Sequence, residues 1–205
     1  MDDLSGRVPG RFHHFCGDLS DPEFPAVAVQ QTKAAFGGLD TLINNAAMRI
    51  DGVLATMPPE SIHELVQANL TSTLLMCREA IREFLRMPSR SPKWILNISS
   101  IAGETGFRGL SVYSSTKAGL LGMTRSLARE LGPTNVVVNA VLPGFIVTDM
   151  SNSIEKRQQE EIVSRTPLGR LGKVEDVIPV VRFLLSPESR FITGQSIIVD
   201  GGVTC

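Results

Sequence analysis

A chain of 205 residues is long enough for one domain with a sizeable core, and residues 1–205 read as a single unit behind a loose tail at 1–11. Its 20 basic and 21 acidic residues leave a net charge of −1, which argues against a nucleic-acid or anionic-membrane surface. Hydrophobic content is 42%, ordinary for a globular protein, and no apolar stretch approaches the roughly 20 residues that span a bilayer.

In chain order, residues 12–16 suggest a short strand, and 18–22 a turn with capping chemistry. An amphipathic helix is predicted over 24–36, stopped by Gly37 and Gly38, followed by a strand over 41–45. A long helix spans about 59–87, with Ile62, Leu65, Val66, Thr73, Met76, Cys77, Ala80, Ile81 and Phe84 at a 3.6-residue period. Asn69 falls on that same face, which gives it either a structural or a chemical reason to be there. After a polar loop at 88–93 come a buried strand at 94–98, a helix to about 131, and a strand at 136–142. Residues 151–165 fit either a surface helix or a mobile lid. A helix over 174–185 containing Pro179 and a strand over 195–199 complete the alternation, which specifies an open parallel α/β sheet.

Cys16, Cys77 and Cys205 are scattered without metal-like spacing, which suits a reducing cytoplasm. His13, His14 and His63 form no ligand set, so no metal site is expected. The N-terminus is acidic and lacks the apolar core of a secretion signal.

The chemistry concentrates in residues 112–117, V-Y-S-S-T-K. A spacing of four puts Tyr113 and Lys117 on one helix face, one turn apart. A phenol has an ordinary pKa of about 10, and a cation beside it moves that value toward the working range. Such pairs also occur on solvated helix faces, and the neighbouring motifs decide between the two readings. Thirteen residues earlier, Ser100 follows the 94–98 strand, at the kind of strand exit where α/β folds place ligands. The strand at 41–45 likewise ends in small and polar residues.

The sequence N-N-A-A at 44–47, the helical Asn69, Ser100, the Tyr113-x-x-x-Lys117 pair, P-G-F-I-V-T at 143–148 and V-D-G-G at 199–202 together resemble the short-chain dehydrogenase/reductase family. The ending is most similar to that of β-ketoacyl-ACP reductases. Ala47 stands where the family usually has Gly. The resemblance implies a Rossmann-like sheet with helices on both faces. It also implies an oxidoreductase acting on a small carbonyl or alcohol, with Asn69, Ser100, Tyr113 and Lys117 as catalytic residues. Contacts to NADP or NAD would come from Asp18, Asn45, Ala46, Tyr113, Lys117, Pro143, Gly144, Ile146 and Thr148. A homodimer or tetramer would form through the helices at about 59–87 and 113–131.

Gly6, Gly10 and Gly17 are too widely spaced for the family's glycine-rich turn, which cradles the cofactor pyrophosphate at a helix N-terminus. By that comparison the first β-α-β unit is missing. Weak cofactor binding is therefore expected, and the 41–45 strand becomes a sheet edge. Two other readings stay open: a cofactor-independent proton-transfer enzyme (isomerase, dehydratase or cyclase), and a non-catalytic subunit that pairs with longer relatives.

Overall fold

The computed structural model describes residues 12–86, 91–147 and 156–205. Four parallel strands form one sheet in the order β1-β2-β3-β4: β1 Thr41–Asn44, β2 Lys93–Ile98, β3 Val136–Pro143 and β4 Ser196–Val199. Their register pairs Ile43 with Leu96, Leu96 with Asn139, and Ala140 with Ser196. Strand order follows chain order because each crossover is helical and returns the chain to the next parallel position.

Helix α1 spans Phe24–Phe36. A continuous helical rod follows β1 as α2 (Pro59–Val66), a wider π turn (Gln67–Thr71) and α3 (Ser72–Arg86). Then come the short α4 (Ala102–Thr105), the long α5 (Ser111–Leu131), α6 (Lys156–Arg165) and α7 (Val174–Leu184). Among the described residues no helix is long and apolar enough to cross a membrane.

Both faces of the central strands are covered, which is why their sequences read as continuous apolar runs. On one face, Leu42, Ile95 and Val138 pack with Cys77, Ala80 and Phe84 of α3 and with Leu120, Met123 and Leu131 of α5. On the other, Leu96 and Val141 pack against Leu184, Val177 and Val181 of α7. Burying one such side chain is worth about 1.5–3 kcal/mol. The cover stops short of β1, where Ile43, level with Leu96 in the register, is 45% exposed.

The asparagines inside the strands are paired. Asn97 accepts from Asn44 Nδ2 at 2.8 Å and donates to Thr124 Oγ1 at 2.9 Å, tying β1, β2 and α5 together. Asn139 donates to the Ile192 carbonyl and accepts from the Gln195 amide.

Residues 12–16 do not form the expected strand. A strand needs a neighbour for its backbone hydrogen bonds, and β1 is the outermost described strand on that side of the sheet. The tail at 1–11, Thr148 and the first part of the 151–165 segment lie outside the described residues.

Candidate active site

The C-terminal ends of β1, β2 and β3 open into a cavity of about 430 Å³. Its walls are mostly apolar: Ile43, Ile98, Phe107, Phe145, Ile146 and Ile178 contribute. Against them stand Ser100, Tyr113, Lys117 and Arg49.

Ser100 is the second residue after β2, and its hydroxyl accepts from the Ala102 amide at 3.1 Å, at the start of α4. That helix lies directly against α5. A Cβ on Gly103 would come within 2.7 Å of the Lys117 carbonyl carbon and 2.8 Å of the Ala118 nitrogen. Only glycine permits this approach, which sets Ser100 beside Tyr113 in the first turn of α5. Both side chains line the cavity, where the Ser100 hydroxyl acts on the phenol and favours its ionised form.

Lys117, one turn later, is only 3% exposed. Its ammonium donates to the Ile98 carbonyl at 2.9 Å and lies 5.7 Å from the Tyr113 ring centroid. Burial pushes its pKa down to about 8.

Tyr113 departs from the sequence expectation. Its pKa is raised, chiefly by burial, while the Ser100 hydroxyl and the Arg49 charge pull the other way. Lys117 lies near the ring, but its ammonium is bonded to Ile98. Arg49 is the cation that acts on the phenol, and sequence reading passed over it.

Asn69 does not line the cavity. It is 1% exposed and sits within the π turn, where the Ser72 amide reaches five residues back to the Gln67 carbonyl. Its Oδ1 accepts from the Met48 amide and its Nδ2 donates to the Met48 carbonyl, both at 2.8 Å. A weaker contact at 3.4 Å reaches Thr116 Oγ1 on α5. Asn69 thus fastens the loop after β1 to the rod behind the site. Inserted π turns of this kind are frequent at functional sites.

The other expected residues divide between two cavities. Asn45, Pro143, Gly144 and Ile146 line the first with Ser100, Tyr113 and Lys117. Asp18 and Ala46 line an adjoining groove with Met48, His63 and Gln67, and Ala47 belongs to both. The Asp18 carboxylate accepts from the Ser20 amide and hydroxyl at 2.8 and 2.7 Å. Ile146 is held by a parallel bridge to Gly172.

A nicotinamide nucleotide suits the first cavity. Lys117 spends one N–H on Ile98, which leaves two for the hydroxyls of a ribose. The apolar walls suit a flat ring, and the Ser100–Tyr113 pair suits a carbonyl oxygen.

The family profile described as Enoyl-(Acyl carrier protein) reductase matches residues 1–204. The chain is 36% identical over 186 residues to the 3-oxoacyl-(acyl-carrier-protein) reductase FabG of Staphylococcus aureus, covering 91% of this chain and 74% of that one. It is 35% identical over 196 residues to the Thermotoga maritima protein of the same name, covering 96% and 78%. With the Aquifex aeolicus FabG it shares 43% identity over 168 residues, covering 81% and 66%. Among solved structures, a short-chain dehydrogenase/reductase of the glucose/ribitol dehydrogenase type from Brucella melitensis superposes with a TM-score of 0.90 at 31% identity, covering 96% of this chain and 78% of that one. With this fold, and with serine, tyrosine and lysine gathered at the strand ends, the chain belongs to the short-chain dehydrogenase/reductase family of oxidoreductases.

Proposed function

We propose that the chain interconverts a carbonyl and an alcohol with NADPH or NADH as the redox partner, and that Tyr113 transfers the proton. One observation carries this reading. The Ser100 hydroxyl, the Tyr113 phenol and the Lys117 ammonium share the polar wall of an otherwise apolar cavity. A bound nicotinamide supplies the hydride.

The chain's own groups do the rest. Ser100 and Tyr113 donate hydrogen bonds to the substrate carbonyl oxygen, the point where negative charge develops during reduction. Tyr113 gives its proton to that oxygen, and takes it back in the alcohol direction. A phenol kept neutral by burial is in the right state to act as the acid. Lys117 holds the ribose hydroxyls with the donors left free by Ile98. Asn69 acts from behind by fixing the loop after β1, while Asn45, Pro143, Gly144 and Ile146 would line the nicotinamide site. Asp18 and Ala46 serve the remainder of the cofactor in the adjoining groove.

The relatives named 3-oxoacyl-(acyl-carrier-protein) reductases direct the substrate proposal. Phe107, Phe145, Ile146 and Ile178 form a greasy channel beside the hydroxyl pair, which suits a 3-oxoacyl thioester or another apolar ketone. The test is oxidation of NADPH or NADH by the purified chain with a short 3-oxoacyl thioester and a panel of ketones. Ketone-dependent oxidation is the expected result. Turnover of a substrate with no nicotinamide present would instead point to simple proton transfer, and a lack of oxidation with every carbonyl offered would contradict the proposal.

A further inference from the structure

We propose that Arg49 is a positioning residue of this site: Asp51 and the pinned loop after β1 hold its guanidinium at the cavity wall, where it sets the electrostatic field at the Tyr113 hydroxyl. The proposal adds to the reductase reading, and its first test needs no turnover.

The loop that carries Arg49 is fixed on both sides. Met48, immediately before it, is clamped through its amide and its carbonyl by Asn69. Gly52, three residues after it, donates its amide to the Gly109 carbonyl at 2.9 Å, on the segment that leads into α5. Between these pins the guanidinium itself is held in a fork. Nε meets Asp51 Oδ1 at 2.5 Å and Nη2 meets Oδ2 at 2.6 Å. Bidentate pairing of this kind fixes direction as well as distance. The Arg49 side chain is 29% exposed and that of Asp51 is 60% exposed. A pair this open is worth little to folding, so stability alone does not account for so many restraints on one surface arginine.

The titratable side chains lining the cavity are Arg49, Tyr113 and Lys117. On the segment packed across α5, Glu104 and Arg108 are exposed to solvent, and Asp51 is paired to the guanidinium. Two cations therefore compete to influence the phenol, and they differ in persistence. Lys117 loses its charge at about pH 8, well below the pH at which a buried phenol ionises. Arginine keeps its charge throughout. Arg49 is thus the cation still present when tyrosinate forms, and its charge favours that form.

Tyr113 is the only tyrosine in the chain, so the alkaline rise of tyrosinate absorbance reports this residue and no other. Arg49→Met should move the midpoint upward by about 0.5–1 pH unit, the scale expected for a partly screened charge near the phenol. Arg49→Lys should recover at least half of that displacement. Far-UV circular dichroism at each pH establishes that the chain is still folded. A midpoint unmoved in Arg49→Met would overturn the proposal, as would one that moves only in Lys117→Met. Should alkaline unfolding come first, the pH profile of kcat/KM for the reductase reaction reads the same displacement. In that assay a positioning role lowers kcat with KM nearly unchanged, whereas a raised KM at constant kcat would make Arg49 a substrate-binding residue and refute the proposal.

Discussion

Lys117 should weaken the fold at neutral pH and cease to do so in alkali. Burial lowers its pKa from the ordinary 10.5 to about 8, so between those values the unfolded chain binds the proton more readily than the folded one. Stability therefore rises with pH across that window, and the penalty is complete below about pH 8. The depression corresponds to about 3 kcal/mol. Lys117→Met removes the penalty but also removes the donor to the Ile98 carbonyl; leaving such a buried acceptor unpaired costs about 1–3 kcal/mol. The two effects nearly cancel near pH 7, and near pH 10 most of the penalty is gone, so the second dominates. Urea unfolding of both proteins at the two pH values gives the difference directly, because Tyr113 and every other titrating group are common to both. The variant should lose about 2–3 kcal/mol relative to the parent between about pH 7 and pH 10. A relative change below about 0.5 kcal/mol would show that the lysine is not charged and desolvated as the geometry requires.

Gly103→Ala should push α4 off α5, because its Cβ meets backbone atoms of Lys117 and Ala118. A loss of about 1–3 kcal/mol in urea unfolding is expected, with a fall in turnover from the displaced Ser100. Gly122→Ala, on the same α5 with open space around its Cβ position, should instead stabilise by about 0.5–1 kcal/mol, and a loss of stability there would show that another surface covers that side of the helix. Leu120→Ala opens a cavity under a side chain that is 2% exposed, and should cost about 2–5 kcal/mol at unchanged m-value. Asn69→Ala frees Met48, so amide exchange of residues 46–52 should speed up well before global unfolding. Unchanged protection would remove Asn69 from its fastening role.

The helix over 24–36 and the strands near 41, 94, 136 and 196 were legible because period and burial agree there: both faces of the central strands are covered, and their apolar runs show it. Tyr113, Lys117 and Ser100 stood out in the sequence through the neighbouring motifs and the family resemblance they carry, and one helical turn and one strand exit bring the three to one cavity. The π turn around Asn69 was not, because a single shift from a four-residue to a five-residue hydrogen bond leaves no mark in residue type. Residues 12–16 look like a strand locally but have no neighbour to pair with among the described residues. The direction of the Tyr113 pKa was misread because a sequence shows a nearby lysine but not the depth of burial that outweighs it, nor the bond to Ile98 that occupies the ammonium. Arg49 was missed for the opposite reason: it lies far from Tyr113 in sequence, and only the pinned loop brings it to the cavity.

In the proposed reaction the Tyr113 hydroxyl is the group that moves the proton. Tyr113→Phe removes that one oxygen and leaves the ring that packs beside Lys117. General acid catalysis contributes about 100- to 10,000-fold to such reactions. The decisive measurement is the rate of NADPH-dependent ketone reduction by parent and Tyr113→Phe under identical conditions, with matching circular dichroism and thermal midpoints. A fall of at least about 100-fold in kcat with the fold intact is the predicted result. Comparable rates in the two proteins would contradict the assignment and move the chemistry away from Tyr113.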